Sequence, residues 1–221
     1  MSYYGVSFKN NVEQQELARL IATNDAAIIF CEGKAGTGKT FATLAAALQL
    51  KSEKRFDKII YARNPVQIGE EMGFLPGSIE EKYHPFMGGL LDNLESISRH
   101  SQYHPAVGDL RAKIEIVPIA FLRGRSFENT ILIIDEAQNL SIVELQTILT
   151  RLGQYSKVVL LGSTNQIDDL KQRRKAVCDF QRLYEGLADL SYVEFIHLEK
   201  SMRSKWCAEI DDRIEEIKKE C

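Results

Sequence analysis

The residues best suited to chemistry in this chain form a glycine-rich stretch at positions 33–40, with the sequence GKAGTGKT. It fits the pattern G-x-x-x-x-G-K-T, in which glycines allow backbone N–H groups to turn inward around phosphates. Lys39 would place a positive charge at the β- and γ-phosphates, and Thr40 would offer a hydroxyl ligand to Mg²⁺. The stretch therefore predicts a site for a nucleoside triphosphate with Mg²⁺. The residues predicted to bind the nucleotide are Gly33, Ala35, Gly36, Thr37, Gly38, Lys39 and Thr40.

Two adjacent acids, Asp135 and Glu136, follow the apolar run 131–134. Such a run is typical of a strand covered on both faces. Asp135 would complete the Mg²⁺ shell, and Glu136, pointing to a different side, would deprotonate the attacking water. The alternative is that the acids only cap the next helix, but Ser141 and Glu144 already form a capping-box pattern there. The pair therefore predicts hydrolysis rather than binding alone.

Alternating strand and helix signals must position these residues. Strands are predicted at 26–32, 58–62, 114–117, 131–135, 157–162 and 193–198, and helices at 12–22, 39–51 and 142–152. The pattern predicts an α/β fold with a mostly parallel sheet and helices on both faces, in which ligands bind at the carboxyl ends of the strands. We expect one domain over residues 1–221, with a functional insertion at 64–112 and a C-terminal helix at 207–221.

Composition narrows the classes of protein. Lys and Arg number 28 and Asp and Glu 31, giving a net charge of −3, so any nucleic-acid contact must be local. The 4 cysteines are scattered and the 4 histidines lack ligand spacing, which argues against a zinc site or a disulfide framework. No run is long enough for a membrane span, and no basic-then-apolar leader opens the chain. We therefore expect a cytoplasmic protein with no membrane partner.

Several motifs together resemble the PhoH family, phosphate-starvation-inducible ATPases of bacteria and their phages. Besides the glycine-rich stretch they are DEAQN at 135–139, RNPV at 63–66, GFLPG at 73–77 and RGRSF at 123–127, so the resemblance spans nearly the whole chain. It implies a RecA-like P-loop NTPase fold, similar to the first motor domain of superfamily 1 helicases. It also implies ATP hydrolysis, an RNA helicase-like activity, and assembly of a homo-oligomeric ring, with a hexamer favoured.

The same resemblance implies roles for four further positions. Gln14 matches the glutamine that recognises adenine, for which an amide offers a paired donor and acceptor. Gln166 matches a glutamine that senses the γ-phosphate, and Arg203 matches a late arginine that reaches the phosphates in cis. Ser163 stands where the family has aspartate, so one charge near the Mg²⁺ is missing.

Three other arginines are candidates for contact with a partner. Arg63, Arg123 and Arg125 would reach either a neighbouring subunit or single-stranded RNA or DNA, because a guanidinium group suits phosphate in both cases. The alternative for each is an ordinary solvated arginine on the surface. The basic run KQRRK at 171–175 could grip a strand backbone, or it is a solvated loop.

Two amphipathic stripes complete the pattern. Apolar residues at helical spacing between 86 and 97 predict a packed helix within the insertion. Those between 207 and 221 predict a last helix docked on the sheet, or, in an assembly, on a neighbour.

The main hypothesis is a Mg²⁺-dependent ATPase coupled to single-stranded nucleic acid in a ring. The alternative is a nucleotide-gated assembly or regulatory module that acts on a protein partner without unwinding, which the acidic balance, the single motor domain and Ser163 favour. A P-loop kinase is disfavoured, because Glu136 beside Asp135 is typical of hydrolysis.

Overall fold

The computed structural model describes residues 2–23, 27–63, 87–164, 167 and 177–219 of the 221-residue chain. Two short strands, β1 (Ser2–Tyr3) and β2 (Val6–Ser7), form an antiparallel hairpin. The main sheet consists of β3 (Ile28–Gly33), β4 (Lys58–Arg63), β5 (Ile114–Pro118), β6 (Thr130–Asp135), β7 (Lys157–Gly162) and β8 (Val193–Leu198). All its pairings are parallel, in the order β5-β4-β6-β7-β3-β8. The predicted α/β fold with a parallel sheet is confirmed.

The order of the strands sets the glycine-rich loop opposite the two acids. Strand β3 runs into the loop, β6 ends at Asp135, and β7 lies between them. Because neighbouring strands lie about 4.8 Å apart, these two strand ends are about 10 Å apart. Both lie at the carboxyl edge of the sheet, since the strands are parallel. The glycine-rich loop and Asp135 therefore lie at the same edge of the sheet, separated by the width of one strand.

Helices cover both faces of the sheet. One face packs against α1 (Val12–Ala22), α2 (Lys39–Ser52), α3 (Gly88–His100) and α4 (Val107–Arg111), and the other against α5 (Ile142–Leu149) and α6 (Asp179–Leu187). A last helix, α7, spans Lys205–Lys219. Every residue of β6 and β7 is buried, which explains why both read as continuous apolar runs.

A buried lysine ties α1 to the sheet. Lys157, the first residue of β7, is 3% exposed. Its Nζ donates to the carbonyl oxygens of Leu20 at 3.3 Å, Ile21 at 2.8 Å and Thr23 at 2.6 Å. These carbonyls end α1 and have no further turn of helix to bond to, so the lysine donates to all three, in addition to the Thr23 hydroxyl that donates to the Leu20 carbonyl at 2.9 Å.

The structure confirms the prediction made from one amphipathic stripe and contradicts the prediction made from the other. In α3, Leu90, Leu94 and Ile97 are buried in the core, which confirms the predicted packed helix. The helix α7 begins at Lys205, and docking of its stripe on the sheet is wrong for the side chains described. The exposed fractions are 51% for Ile210, 43% for Ile214 and 60% for Ile217, whereas Cys207 is partly buried. Trp206, which precedes the stripe, is 65% exposed. Helical spacing fixes a stripe, but the surface that covers it is not encoded in that spacing.

Some predictions fall outside the described residues: Gln166, the basic run 171–175, residues 64–86 of the insertion, residue 26 of the first predicted strand, and 220–221 of the last helix. The hairpin, α4 and α6 were not predicted. Among the helices in the described part of the chain, none combines the length and apolarity needed to cross a bilayer.

Candidate active site

Two glycines of the loop between β3 and α2 are required by its shape. Gly36 has φ +80° and Gly38 φ +82°, in the left-handed region. A Cβ on Gly38 would lie 2.1 Å from Nε2 of Gln14, and one on Gly36 would lie 2.6 Å from Nε of Arg203. Helix α2 then begins at Lys39. Gly38, which precedes it, has no side chain that could cap the first N–H groups of the helix. The first-turn N–H groups thus face the loop, the arrangement by which helix N-termini bind anions.

The Lys39 ammonium lies back on the loop that precedes it. Nζ donates to the backbone carbonyl of Gly33 at 2.5 Å and to that of Lys34 at 3.0 Å. Burial lowers the pKa of Lys39, and nearby acidic groups, Asp135 and Glu136 among them, partly oppose that effect. A buried cation beside neutral carbonyls favours an incoming anion.

Asp135 lies at the centre of a hydrogen-bond cluster opposite the loop. Its Oδ2 accepts from the hydroxyl of Tyr61 at 2.5 Å and from Oγ1 of Thr40 at 3.4 Å. Its Oδ1 accepts from the backbone N–H of Glu136 at 3.0 Å. A carboxylate and a hydroxyl oxygen side by side are the ligand types that Mg²⁺ takes in sites of this kind. The residues present therefore fit a magnesium ion.

The Glu136 backbone and both oxygens of its carboxylate are constrained. Its φ of +56° lies in the left-handed region, a conformation that costs about 1 to 2 kcal/mol in a residue with a side chain. Oε1 pairs with Nη2 of Arg63 at 3.2 Å, and Oε2 accepts from Nε2 of Gln138 at 2.7 Å. Gln138 is fully buried, and its Oε1 accepts from the backbone N–H of Ser163 at 3.1 Å.

These groups meet in one cavity of about 230 Å³ at the carboxyl edge of the sheet. Its lining combines loop residues, both acids and their neighbours: Ala35, Gly36, Gly38, Lys39, Thr40, Arg63, Gly89, Asn93, Asp135, Glu136, Leu161, Gly162 and Ser163. A second cavity, of about 570 Å³, adjoins it and also has Gly36, Gly38 and Asn93 in its wall. Phe8 and Phe41 line this larger cavity, and aromatic walls suit a planar ring.

Gln14 lies in the wall of the larger cavity, next to Gly38, and bonds to the loop. Its Nε2 donates to the backbone carbonyl of Thr37 at 2.8 Å, and the residue is only 3% exposed. Recognition of adenine by Gln14 stays a prediction.

The predicted arginines separate into two groups. Arg203 packs against Gly36, beside the backbone N–H of Met202, which donates to the Gly36 carbonyl at 2.8 Å. Arg63 lines the smaller cavity and forms an ion pair with Glu136 there. Neither Arg123 nor Arg125 lines the described walls of either cavity. Arg125 instead pairs with Glu115 at 2.8 Å and lies 5.7 Å from the centre of the Phe127 ring.

Two residues of the site were missed by the sequence reasoning. Gln138 belongs to the DEAQN motif, yet its spacing gave no hint that it joins Glu136 to Ser163. Tyr61 reads as one more strand residue, although a buried tyrosine hydroxyl needs a partner and this could have drawn attention to it.

The parallel sheet, the glycine loop after β3 and the acids after β6 define a RecA-like P-loop NTPase fold. The chain belongs to the PhoH-like protein family, whose model matches residues 8–215. It is 39% identical to protein PhoH of Escherichia coli over 159 residues, covering 70% of this chain and 44% of that protein. It is 35% identical to a PhoH-like protein of Synechocystis sp. over 190 residues, covering 85% of this chain and 55% of that one.

The chain thus spans about half the length of these curated relatives. Among solved structures, the large terminase of a thermophilic bacteriophage is similar in fold, with a TM-score of 0.54 at 10% identity. The match covers 91% of this chain and 49% of the terminase.

Proposed function

We propose that this chain hydrolyses ATP in a Mg²⁺-dependent reaction at the smaller cavity. The observation that carries the proposal is the meeting of Lys39 and Thr40 with Asp135 and Glu136 in that one cavity. A cation, a hydroxyl and two carboxylates facing a glycine loop are the groups that phosphoryl transfer to water needs.

In the proposed reaction the phosphate chain replaces the loop carbonyls as the partner of Lys39 Nζ. Its negative charge compensates for the hydration that the buried ammonium has lost. Thr40 and Asp135 would hold the magnesium ion, which when bound neutralises charge on the phosphate oxygens. Glu136 accepts a proton from water while the water oxygen bonds to the γ-phosphorus and the bond to the bridging oxygen breaks. ADP and inorganic phosphate are the products.

The test compares phosphate release by the native chain, Glu136→Gln and Glu95→Gln, which makes the same change on the exposed face of α3. Turnover by Glu136→Gln should fall at least about a hundredfold while nucleotide affinity is kept, because only the base is lost. Glu95→Gln should match the native chain. Unchanged turnover by Glu136→Gln would refute the assignment, and ATP loss without equal phosphate release would indicate a kinase.

Coupling to single-stranded RNA or DNA, in a cytoplasmic ring, is the finer part of the proposal. Arg63 supports it, since this guanidinium pairs with Glu136 at the cavity while keeping 28% of its side chain exposed. A phosphate backbone that engaged Arg63 would compete for that ion pair. Phosphate release should then rise several-fold with one of the two polymers, measured alongside the oligomer mass with and without nucleotide.

The alternative function, a nucleotide-gated module acting on a protein partner, has one observation in its favour. The α7 stripe exposes Ile210, Ile214 and Ile217, with the exposed Trp206 next to them, and such a surface is more suited to protein than to nucleic acid. Basal hydrolysis that responds to neither polymer, in an assembly whose mass depends on nucleotide, would favour this alternative.

A further inference from the structure

Gln138 is a fully buried amide with a polar partner at each end. Its Nε2 donates to Oε2 of Glu136 at 2.7 Å, and its Oε1 accepts from the backbone N–H of Ser163 at 3.1 Å. The two partners fix the amide orientation, because a backbone N–H can only donate and an ionised carboxylate can only accept. The side chain therefore joins the residue after β6 to the residue after β7.

The partners of Glu136 divide its carboxylate into two unlike oxygens. Oε2 is held by the buried Gln138, whereas Oε1 faces Arg63, whose side chain is 28% exposed. The Glu136 backbone adds a left-handed φ of +56°. The left-handed backbone sets the direction in which this side chain leaves the main chain, and the two hydrogen-bonding partners restrict rotation about its own bonds.

We infer that Gln138 is a positioning residue that sets the Glu136 carboxylate for water activation and couples it to the main chain at Ser163. The inference rests on the proposed function, in which Glu136 is the base. Because the link uses the backbone N–H of residue 163, it does not depend on the side chain there. A movement of the β7 end would be transmitted to Glu136 through one rigid amide.

The test measures kcat, KM and nucleotide affinity for Gln138→Leu, which keeps the bulk and removes both hydrogen bonds. We expect kcat to fall roughly 10- to 100-fold, as a misplaced reacting group can cost about a hundredfold, with nucleotide affinity within about twofold. Gln146→Leu on the exposed surface of α5 is the matched control and should leave all three unchanged. Ser163→Asp, which retains the backbone N–H, should not reproduce the Gln138→Leu defect.

A double-mutant cycle separates positioning from mere support of the fold. In the Glu136→Gln background, Gln138→Leu should lower turnover no further, since the group it positions is already disabled. A structural role would instead add its loss in both backgrounds and weaken nucleotide binding. If Gln138→Leu does not fold, Gln138→Glu is the second variant to test. It keeps the side-chain length and the oxygen that accepts from Ser163, but it places a second carboxylate next to that of Glu136.

The outcomes also separate a failure of the role inferred for Gln138 from a failure of the proposed function. Native turnover in Glu136→Gln would remove the proposed base and the inference with it. A dead Glu136→Gln beside a fully active Gln138→Leu would overturn the inference alone.

Discussion

The side-chain amide of Gln14 donates a 2.8 Å hydrogen bond to the backbone carbonyl of Thr37, so α1 supports the glycine-rich loop. Asn11 caps the start of that helix, and its Oδ1 accepts from the Gln14 backbone N–H at 3.0 Å. The amide lies so close that Gly38 could carry no Cβ without displacing it. Loop shape and helix position therefore depend on each other.

Replacement of Gln14 by alanine should weaken binding of every nucleotide, because the loop loses its external support. One hydrogen bond to the backbone corresponds to a loss of about tenfold or less in affinity. The predicted contact with adenine should add a further loss for ATP that GTP does not show. Titration of ATP and GTP against native chain and variant measures both effects, and equal losses would contradict adenine recognition.

Gly38→Ala should destabilise the fold and abolish nucleotide binding. A side chain at φ +82° costs about 1 to 2 kcal/mol, and the contact with Gln14 adds to that. Gly186→Ala is the control, since no heavy atom lies within 4 Å of a Cβ there, and it should stabilise α6 by about 0.5 to 1 kcal/mol. Urea unfolding checks both values, and equal stability of the two variants would be the contrary result.

Because of Lys39, the free energy of unfolding should change with pH in the alkaline range. Burial lowers its pKa below the ordinary value of 10.5, so an unfolded chain keeps this proton to higher pH than the folded one. Between those two pKa values unfolding takes up a proton, and the free energy of unfolding rises with pH. The stability of the native chain relative to Lys39→Met should therefore increase as the pH rises from the lowered pKa of the folded state toward the ordinary value of 10.5.

Denaturant unfolding without nucleotide at several pH values provides the measurement. Lys9→Met, which removes an exposed lysine, corrects for the loss of one charge. A difference between native chain and Lys39→Met that stays flat or falls with pH would show that burial does not govern this lysine.

Lys157→Met should cost about 2 to 4 kcal/mol in the free energy of unfolding, because buried carbonyls at the end of α1 lose their donor. Lys58→Met makes the same change at the exposed first residue of β4 and should stay within about 0.5 kcal/mol of the native chain. Chemical denaturation of the two variants and the native chain measures these differences in the free energy of unfolding. A loss no larger than that of Lys58→Met would mean that water replaces the lysine.

The six strands of the main sheet were predictable to within about two residues. For β6 and β7 the reason is that burial on both faces leaves a continuous apolar run. The loop and its acids were predictable because phosphate chemistry dictates their types and spacing. The roles of Tyr61 and Gln138 were not, since each depends on a partner far along the chain. For the α7 stripe, helical spacing predicted the helix but gave its environment wrongly.

The loop that would hold the nucleotide is bonded on one side by Gln14 and on the other by the Met202 backbone. Contacts between such distant parts of a chain close long loops and therefore cost conformational entropy. The loop has both supports only when α1, β8 and the residues after β8 are all in their folded positions. Nucleotide would select the finished fold over every partly folded form and raise the midpoint of thermal unfolding by mass action.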